Sequence, residues 1–376
     1  MAVVANAKIG LQRVKEERFD LVIIEQTQVP GETASHISQL REVLTAQTHM
    51  LVVIADTPRP MIPRLVEAGA DAIKFQTFKA DRLVVADAPK ARYQEEVAAV
   101  GETQHAMLRR LELSEDAHRE LMSYCGERIL FVSTPFDEES ADFLATLGVP
   151  LFKVPSGEIT NLPYLAHLAR FRLPLVVSTG MATLGEVDLA VRTIRAAGAP
   201  PVVLLHCVSN YPAQPADCNL RAMQTMERAF GLTVGYSDHT LGLEVAFAAV
   251  ALGACVIEKH FTLDRALPGP DHRASLTPDE LAALIKGIRT VEAAMGHGRK
   301  EPAASEGETA RVARKSLVAA RELAAGTVLT AEHLAVRRPG TGLPPTLLSF
   351  LLGRRLRSAV QAGTVLTLDL FTGDSA

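Results

Sequence analysis

The feature that most constrains the fold is a regular alternation of short apolar segments with longer segments of helical length. Eight segments are typical of buried β-strands: MLVVIAD, DAIKFQTF, ILFVSTP, LFKVPS, LPLVVST, PVVLLHCV, TVGYSD and CVIEKHF. Strands that alternate with helices indicate a parallel sheet with crossover helices. Eight such units predict an α/β fold, a closed (β/α)8 TIM barrel over residues 50–296. An open doubly wound sheet is the alternative, but no GxGxxG motif follows any of these strands.

The remaining residues predict three further parts of the chain. Residues 1–49 contain a strand-like segment, RFDLVIIEQ, and two helical ones, which predicts an atypical β/α extension. The glycine-, proline- and serine-containing stretch GHGRKEPAASEGET predicts a linker at residues 297–310. Residues 311–376 predict a small second domain. From Arg311 onward nine Arg and Lys residues outnumber four Asp and Glu residues, so this domain is basic and the rest of the chain acidic.

Composition excludes several classes of protein. With 48% hydrophobic and 22% charged residues, the chain has the composition of a soluble globular protein. No apolar run reaches the length of a membrane span, and the first residues lack a signal-peptide pattern, so we expect no membrane partner. A net charge of −4 argues against nucleic acid as the main partner. Four cysteines without CxxC spacing predict reduced thiols and a cytoplasmic location: Cys125, Cys207, Cys218 and Cys255.

Two histidines end neighbouring predicted strands, in TVGYSDHT and CVIEKHF. Because side chains alternate along a strand, Ser237 and His239 share one face of the first strand, and Glu258 and His260 share one face of the second. Two neutral imidazoles with open positions suit Mn²⁺, Fe²⁺, Zn²⁺ or Co²⁺. Each histidine alone could equally be a hydrogen-bonded core residue. The pairing, together with acidic neighbours such as Asp271, favours a metal site.

Polar residues also end the other predicted strands, and a TIM barrel would gather them at its active-site mouth. These residues are Gln76 and Thr77, Ser133 and Thr134, Lys153 through Ser156 to Glu158, Ser178 and Thr179, and His206 to Tyr211. Lys153 beside several hydroxyls predicts a pocket for phosphate, or for phosphate and carboxylate together. Its alternative role is to pair with Glu158 without binding a ligand. A phosphate pocket beside two histidines suggests an enzyme that joins a phosphorylated substrate to a carbonyl compound.

Eight motifs, in order along the chain, resemble the strand-end motifs of the N-acetylneuraminate (sialic acid) synthase family. They are KFQTFKAD, FVSTPFDEES, FKVPSGEI, VVSTGMA, LHCVSNYP, GYSDHT, IEKHFTLD and PGPDHRASL. The resemblance begins at about Gly69 and extends to the C-terminus. The family combines a TIM barrel with a small C-terminal SAF (antifreeze-like, β-clip-like) domain, and ARKSLVAARELAAGTVLTAEHLAVRRPGTGLPP is similar to that domain.

The resemblance implies condensation of phosphoenolpyruvate with N-acetylmannosamine or a related 2-acetamido sugar, with release of phosphate. It implies that His239 and His260 bind Mn²⁺ or Mg²⁺, and that catalysis involves these two histidines, Lys153 and Glu158. It places phosphoenolpyruvate against Thr134, Lys153, Ser156, Ser178, Ser209 and Ser237. It places the sugar against Gln76, Glu158, Tyr211 and Asp271. An arginine matching Arg338 reaches the sugar in a neighbouring subunit, which implies a domain-swapped homodimer.

The start of the chain departs from the family pattern. The first family strand reads AEIGxNHxG and contributes an active-site glutamate, whereas this chain has MLVVIADTPRP. The segment before it resembles a response-regulator receiver domain, with Glu25 in place of the phosphoacceptor aspartate. We expect Asp56 to take the position of the family glutamate, with Glu25 as the alternative. A catalytically impaired, regulatory synthase-like protein therefore remains an alternative, as does an aldolase that forms a Schiff base on Lys153.

Overall fold

The computed structural model describes residues 49–54, 61–90, 102–267 and 269–372. The predicted β/α extension before residue 49, its receiver-like character and the roles proposed for Glu25 and Asp56 lie outside the described residues. The chain divides into two compact units, residues 1–296 and 297–376. Within the described part of the chain, no helix has the length and apolar character needed to cross a membrane.

The first unit is built on a curled parallel sheet. Its strands are β1 (His49–Ile54), β2 (Ala72–Thr77), β3 (Leu130–Pro135), β4 (Phe152–Val154), β5 (Leu175–Ser178), β6 (Val202–Cys207), β7 (Thr233–Asp238) and β8 (Val256–Phe261). From β2 to β8 each strand pairs in parallel with the next along the chain. The backbone of β1 pairs with both edges of this sheet, with Leu51 opposite Ala72 and His49 opposite Val256. The predicted parallel α/β architecture is confirmed.

Helices connect the strands, as the alternation predicted. They are α1 (Met61–Ala68), α2 (Ala80–Leu83), α3 (Gln104–Leu111), α4 (Glu115–Cys125), α5 (Glu138–Leu147), α6 (Leu162–Arg170), α7 (Leu184–Ala197), α8 (Arg221–Phe230), α9 (Glu244–Ala251) and α10 (Pro278–Met295). Ser114 caps α4, since its hydroxyl accepts a hydrogen bond from the backbone N–H of Ala117. Helix α5 ends at Gly148, whose φ of 85° is a left-handed conformation that glycine adopts without strain.

The core of the first unit lies between the sheet and its helices. Large side chains fill it, among them Phe75 and Phe131, whose rings stack with centroids 5.1 Å apart. Each fully buried side chain of this size contributes about 2–3 kcal/mol through removal of apolar surface from water. Polar and charged residues alternate with these apolar ones along the strands, as Lys74 does between Ile73 and Phe75. The strand period therefore places a charged layer on the opposite face from the helix-packed layer.

The second unit has its own small core. Strands β9 (Ser316–Ala319) and β10 (Leu334–Arg337) form an antiparallel pair, and further single bridges join the segments around Val360 and Val365. The core consists mainly of leucines, including Leu317, Leu356 and Leu366. Two short helices belong to this unit, α11 (Gly307–Ala313) and α12 (Leu348–Leu351). Helix α11 and the 3₁₀ turn Ala304–Glu306 give helical structure to part of the stretch for which we predicted a linker.

Candidate active site

A cavity of about 520 Å³ lies at the carboxyl ends of the strands in the first unit. Its lining includes most of the residues that the sequence predicted for the site: Gln76, Thr134, Lys153, Ser156, Ser178, Ser209, Tyr211, Ser237, His239, His260 and Asp271. Parallel strands bring these residues together because each contributes the side chains at its own C-terminal end. The predicted gathering therefore holds for these residues. It is wrong for Thr77, Ser133, Thr179 and His206, which are not among the described lining residues. Thr77 and Ser133 instead hydrogen-bond to each other, because alternate residues of a strand face opposite sides.

Lys153 is buried at the floor of this cavity, with 2% of its surface exposed. Its ammonium donates hydrogen bonds to Ser178 Oγ at 2.7 Å and to the carbonyl of Val154 at 3.1 Å. Burial lowers the pKa of Lys153 to about 8, although the nearby carboxylate of Glu258 opposes this shift. A bound anion would favour the charged form, which makes Lys153 a suitable ligand for phosphate or carboxylate.

Glu258 joins two lysines at the same floor. Its Oε1 lies 2.8 Å from Lys74 Nζ, and its Oε2 accepts a hydrogen bond of 2.5 Å from Ser237 and lies 3.6 Å from Lys153 Nζ. Burial alone would raise the pKa of Glu258, but the two ammonium groups outweigh it and hold the pKa well below its usual range. Two cations and one anion leave a net positive charge, which attracts an anionic substrate.

Lys74 is a cavity residue that the sequence analysis missed. It lies in β2 two residues before Gln76, so strand alternation alone puts both side chains on the cavity face. Alternation from Gln76 is the sequence signal that identifies Lys74 as a site residue.

The hydroxyl groups on β3–β6 surround the lysines. Ser156 Oγ accepts a hydrogen bond of 3.0 Å from the backbone N–H of Gly180. A Cβ atom at Gly180 would lie 2.8 Å from Ser156 Oγ and closer still to Ser209 Oγ, so only glycine fits here without displacing them. Thr134 Oγ1 is buried and has no hydrogen-bond partner among the described residues. A buried hydroxyl in this state is available to a substrate oxygen.

The two imidazoles of His239 and His260 face each other with ring centroids 5.4 Å apart. His239 Nδ1 lies 2.8 Å from the carbonyl oxygen of Val208, which only accepts, so Nδ1 carries the proton and Nε2 keeps its lone pair. Burial lowers the pKa of His239 to about 4. Burial, followed by the proximity of His239, holds the pKa of His260 well below its ordinary value. Both rings are therefore neutral near pH 7 and able to bind a cation.

The donor atoms fit a metal ion that takes only part of its ligands from the protein. No group of three or more His, Cys, Asp and Glu side chains suited to a metal occurs among the described residues. Two neutral imidazoles are present, and His260 Nδ1 has no hydrogen-bond partner within the described part, the nearest carboxylate oxygen being Asp271 Oδ2 at 3.7 Å. Such a pair suits a divalent cation with open positions for water or substrate oxygens.

Aromatic and apolar residues complete the cavity. The ring of Tyr211 packs against both imidazoles, with centroids 4.2 Å from His239 and 5.5 Å from His260. On the side of β2 and β3, a group that we call the apolar wall lines the outer cavity: Phe78, Leu83, Met107, Leu108, Leu111, Leu113 and Phe136. The sequence patterns did not predict this wall, whose centre lies on the eight-residue helix α3.

Glu158, which was predicted for the site, does not line the cavity. Glu158 ends the 3₁₀ turn Ser156–Glu158 after β4, and its carboxylate accepts a hydrogen bond of 2.7 Å from Asn161 Nδ2. The turn directs Ser156 into the cavity and Glu158 toward the start of α6, so Glu158 is not among the described lining residues. Arg338 is an exposed residue of the second unit, directly after β10.

A buried ion pair lies on the opposite side of β7 and β8 from the cavity. Asp238 Oδ2 is 2.8 Å from Lys259 Nζ, and both residues are 1% exposed. Lys259 also donates to the carbonyl of Thr240 at 2.6 Å, and Asp238 Oδ1 accepts from the backbone N–H and the hydroxyl of Thr240. All charges are thereby satisfied, as buried ions require.

Comparison with known proteins matches each of the two units to a known family or domain type. The NeuB family model matches residues 61–300, and the SAF domain model matches residues 314–372. The chain is 50% identical to the N,N'-diacetyllegionaminic acid synthase of Legionella pneumophila, over 80% of this chain and 86% of that protein. It is 46% identical to the protein of the same name from Campylobacter jejuni, over 79% and 90%.

A solved structure shows the same fold. The N-acetylneuraminic acid (sialic acid) synthetase of Leptospira borgpetersenii serovar Hardjo-bovis superimposes with a TM-score of 0.61 at 33% sequence identity. The match covers 70% of this chain and 91% of that one. The resemblance stated from the strand-end motifs, and the small C-terminal domain, are confirmed.

Proposed function

The chain belongs to the NeuB family, and on this premise we propose that it is an enzyme, a nonulosonic (sialic-type) acid synthase that joins phosphoenolpyruvate to a 2-acetamido sugar and releases phosphate. The observation that carries the proposal is one cavity that combines a positively charged floor with two neutral imidazoles. The floor suits a substrate with phosphate and carboxylate groups. The imidazoles suit a cation beside a carbonyl group.

The proposed enzyme uses the first unit as a complete (β/α)8 barrel, with β1 as its first strand. The backbone pairing of β1 with both β2 and β8 supports this assignment. The cavity then lies where barrel enzymes have their active sites, at the carboxyl ends of the strands.

We assign phosphoenolpyruvate to the floor of the cavity. The ammonium groups of Lys74 and Lys153 neutralise its charge, and hydroxyls orient its oxygens, namely Thr134, Ser156, Ser178, Ser209 and Ser237. The unpartnered hydroxyl of Thr134 and the backbone-held hydroxyl of Ser156 support this assignment. Preorganised groups of this kind bind an anion without a further loss of side-chain freedom.

The sugar lies above this floor, against Gln76, Tyr211 and Asp271. C3 of phosphoenolpyruvate forms a bond to the aldehyde carbon of the open-chain sugar, and the aldehyde oxygen becomes a hydroxyl. Water adds at C2, and phosphate leaves from the resulting tetrahedral carbon to give a 2-keto acid. A sugar contact from Glu158, which the resemblance implies, requires its side chain to leave Asn161.

His239 and His260 would hold Mn²⁺ or Mg²⁺, which when bound supplies Lewis-acid polarisation of the aldehyde. Neighbouring residues fix the tautomer and the orientation of the two imidazole rings. The Val208 carbonyl fixes the tautomer of His239, and Tyr211 packs against both imidazoles and limits their rotation.

We further propose a domain-swapped homodimer in which Arg338 reaches the sugar in the partner's cavity. The proposal rests on the family resemblance and on the basic character of the second unit relative to the first. The cytoplasmic location inferred from the four cysteines, which have free thiols, stays a prediction.

The test is release of phosphate from phosphoenolpyruvate with a panel of 2-acetamido sugars, in the presence of Mn²⁺ and with phosphoenolpyruvate alone as the blank. We expect sugar-dependent release. Lys153→Ala should lose phosphoenolpyruvate affinity in calorimetry and keep its circular dichroism spectrum. Lys286→Ala, which removes an exposed lysine of α10, is the matched control. Unchanged affinity in Lys153→Ala would remove the lysine from the proposed site.

One observation favours a second candidate, the Schiff-base aldolase. The pKa of Lys153 is lowered to about 8, so a fraction of this buried amine is neutral and nucleophilic near pH 7. Incubation with pyruvate and borohydride separates the two reactions. The synthase should gain no mass on Lys153, whereas the aldolase should gain a reduced pyruvate adduct.

A further inference from the structure

A buried series of hydrogen-bonded side chains lies behind the cavity, between β2, β3 and helix α4. We call it the His118 chain: His118, Thr77 and Ser133. Thr77 Oγ1 lies 2.7 Å from His118 Nε2 and also 2.7 Å from Ser133 Oγ. Thr77 is 7% exposed and the other two are fully buried, and none of the three is among the described lining residues of the cavity. A satisfied buried network of this kind makes the surrounding core rigid.

The direction of these hydrogen bonds follows from one contact. His118 Nδ1 lies 2.9 Å from the carbonyl oxygen of Ser114, which only accepts, so Nδ1 carries the proton. Burial lowers the pKa of His118, so the ring is neutral near pH 7 and Nε2 keeps its lone pair. The hydroxyl of Thr77 therefore donates to Nε2, and the hydroxyl of Ser133 donates to Thr77. The imidazole thus fixes the direction of both hydroxyls.

Each hydroxyl of the His118 chain is next to a residue of the cavity. Thr77 follows Gln76 in β2, and Ser133 precedes Thr134 in β3. Gln76 and Thr134 line the cavity and stand opposite each other in the register of the two strands. Strand alternation turns these two side chains to the cavity and their neighbours to the helix side. The chain therefore joins the two strand ends from behind, at the point where they present Gln76 and Thr134.

Thr134 depends on this support because it has no hydrogen bond of its own. Its buried Oγ1 has no hydrogen-bond partner in the described part of the chain, whereas the hydroxyls of Ser156 and Ser178 are each held by one. The position of the Thr134 hydroxyl is then set by the β3 backbone and by the rotamer of the side chain. A shift of β3 relative to β2 would therefore move this hydroxyl directly.

We propose that His118 is a positioning residue of the active site, which acts through the two hydroxyls of its chain to hold the ends of β2 and β3 in place. The two strand ends present Gln76 to the sugar and Thr134 to phosphoenolpyruvate, so the inference rests on the proposed function. His118 itself touches neither substrate. Displacement of substrate-positioning groups by about 1 Å can lower the rate about a hundredfold, so the chain affects turnover as well as stability.

Two substitutions at Thr77 separate positioning from packing. Thr77→Val keeps the branched shape and removes the hydroxyl, so His118 Nε2 loses its donor and Ser133 its acceptor. Thr77→Ser keeps the hydroxyl and loses only a methyl group. We expect Thr77→Val to lower kcat by about 10- to 100-fold and to weaken phosphoenolpyruvate binding in calorimetry, with Thr77→Ser close to wild type. The reverse order of the two variants, or unchanged kcat and affinity in Thr77→Val, would overturn the inference.

The matched control is Thr193→Val. The hydroxyl of Thr193 donates to the carbonyl of Leu189 within helix α7, away from the cavity. The same chemical change there should leave kcat and phosphoenolpyruvate affinity at their wild-type values. An equal loss in the control would show that the effect of Thr77→Val is not specific to the chain, and would overturn the inference.

A second variant and a spectroscopic measurement decide the matter if Thr77→Val does not fold. Ser133→Ala removes only the last donor of the chain, leaves the bond between Thr77 and His118 in place, and should still weaken phosphoenolpyruvate binding. Nitrogen-15 NMR of the histidine-labelled protein, with the His118 signals assigned by their loss in His118→Gln, should show a neutral ring protonated on Nδ1. A proton on Nε2, or unchanged affinity in Ser133→Ala, would overturn the inference.

The inference and the proposed function fail in different ways. An active wild-type enzyme whose folded Thr77→Val and Ser133→Ala variants match it would overturn the inference and leave the proposed function standing. A wild-type protein that releases no phosphate with any sugar of the panel would contradict the proposed function, and the inference with it.

Discussion

Lys259 and Asp238 form a buried ion pair, with Nζ 2.8 Å from Oδ2, directly behind the two histidines of the cavity. Asp238 immediately precedes His239, and Lys259 immediately precedes His260. The pair joins the ends of β7 and β8 on the side opposite the cavity, and Thr240 anchors both partners. This contact therefore links the ends of the two strands that carry the imidazoles.

Removal of one partner should destabilise the protein strongly. Lys259→Met leaves Asp238 buried and unpaired, which costs about 3–5 kcal/mol of the free energy of unfolding. Urea denaturation followed by circular dichroism measures the loss. Arg119→Ala is the control, because Arg119 pairs with Glu115 and Asp116 on the exposed face of α4 and should contribute under about 1 kcal/mol. Comparable losses in the two variants would show that the buried ion pair contributes no more to the free energy of unfolding than an exposed pair does.

Metal dependence is the second expectation. Chelation by EDTA should abolish phosphate release and Mn²⁺ should restore it, since the two neutral imidazoles are the protein's cation ligands in this proposal. His239→Ala should lower turnover by several orders of magnitude and also weaken Mn²⁺ binding measured by electron paramagnetic resonance. Full activity in chelator, or unchanged Mn²⁺ affinity in His239→Ala, would contradict the assignment of the metal to this pair.

Gly180→Ala should weaken phosphoenolpyruvate binding. The added methyl group meets the hydroxyls of Ser156 and Ser209, and both must move away from their present positions. Displacement of substrate-positioning groups by about 1 Å can lower the rate about a hundredfold. Isothermal titration with phosphoenolpyruvate, together with kcat, checks this. Gly185→Ala is the matched control, because a Cβ there meets no atom within 4 Å and alanine is the better helix former. An equal affinity in both variants would refute the expected crowding.

The lowered pKa of Lys153 predicts a specific pH dependence of stability. The pKa of Lys153 is about 8 in the folded protein, whereas its ordinary value, expected in the unfolded chain, is 10.5. Between these two pH values the unfolded chain retains a proton that the folded protein has lost. The unfolded state therefore binds more protons, and this group makes the free energy of unfolding rise with pH across that window, by about 3 kcal/mol in total.

Comparison with Lys153→Met isolates this contribution. The comparison is needed because the pKa of Cys125, raised to about 11 by burial, gives a slope of the opposite sign in an overlapping range. The difference between wild-type and variant stabilities, measured by urea denaturation at several pH values, should increase from pH 8 to 10.5. Parallel curves would mean that Lys153 titrates at its ordinary pKa in the folded protein.

Subunit exchange tests the proposed domain-swapped dimer. Arg338→Ala and His239→Ala should each be inactive alone, because one removes the arginine and the other the cation ligand. Mixed dimers contain one cavity that has both residues intact, so activity should return to about a quarter of wild type after random exchange. Exchange itself is followed with two affinity tags. Exchange without any recovery of activity would exclude the swapped arrangement.

Much of the site followed from the sequence because strand alternation is a strong constraint. Knowing that TVGYSD and CVIEKHF are strands is sufficient to place Ser237 with His239 and Glu258 with His260. The observed register sets Ser237 opposite Glu258, and the two form a hydrogen bond of 2.5 Å. The same rule would have placed Lys74 beside Gln76. The rule does not reach Glu158, which the family resemblance implied, because the residues after β4 form a 3₁₀ turn and no period of two applies to a turn.

The apolar wall was beyond reach of the same reasoning. Its centre, helix α3, is short, and its leucines read as ordinary core residues of an amphipathic helix. Only the packing of α2 against α3 through Glu112 and Asp81 turns those residues toward the cavity. Long-range contacts of this kind leave no periodic signal in the chain.

The alternation along β7 and β8 limits how this protein can evolve. Ser237, His239, Glu258 and His260 face the cavity, while Asp238 and Lys259 between them face away. A single-residue insertion or deletion in either strand would exchange the two sets. It would turn an imidazole outward and bring a charged residue into the cavity. Descendants of this chain can therefore explore new chemistry here by substitution, whereas changes of length are confined to the loops beyond the strand ends.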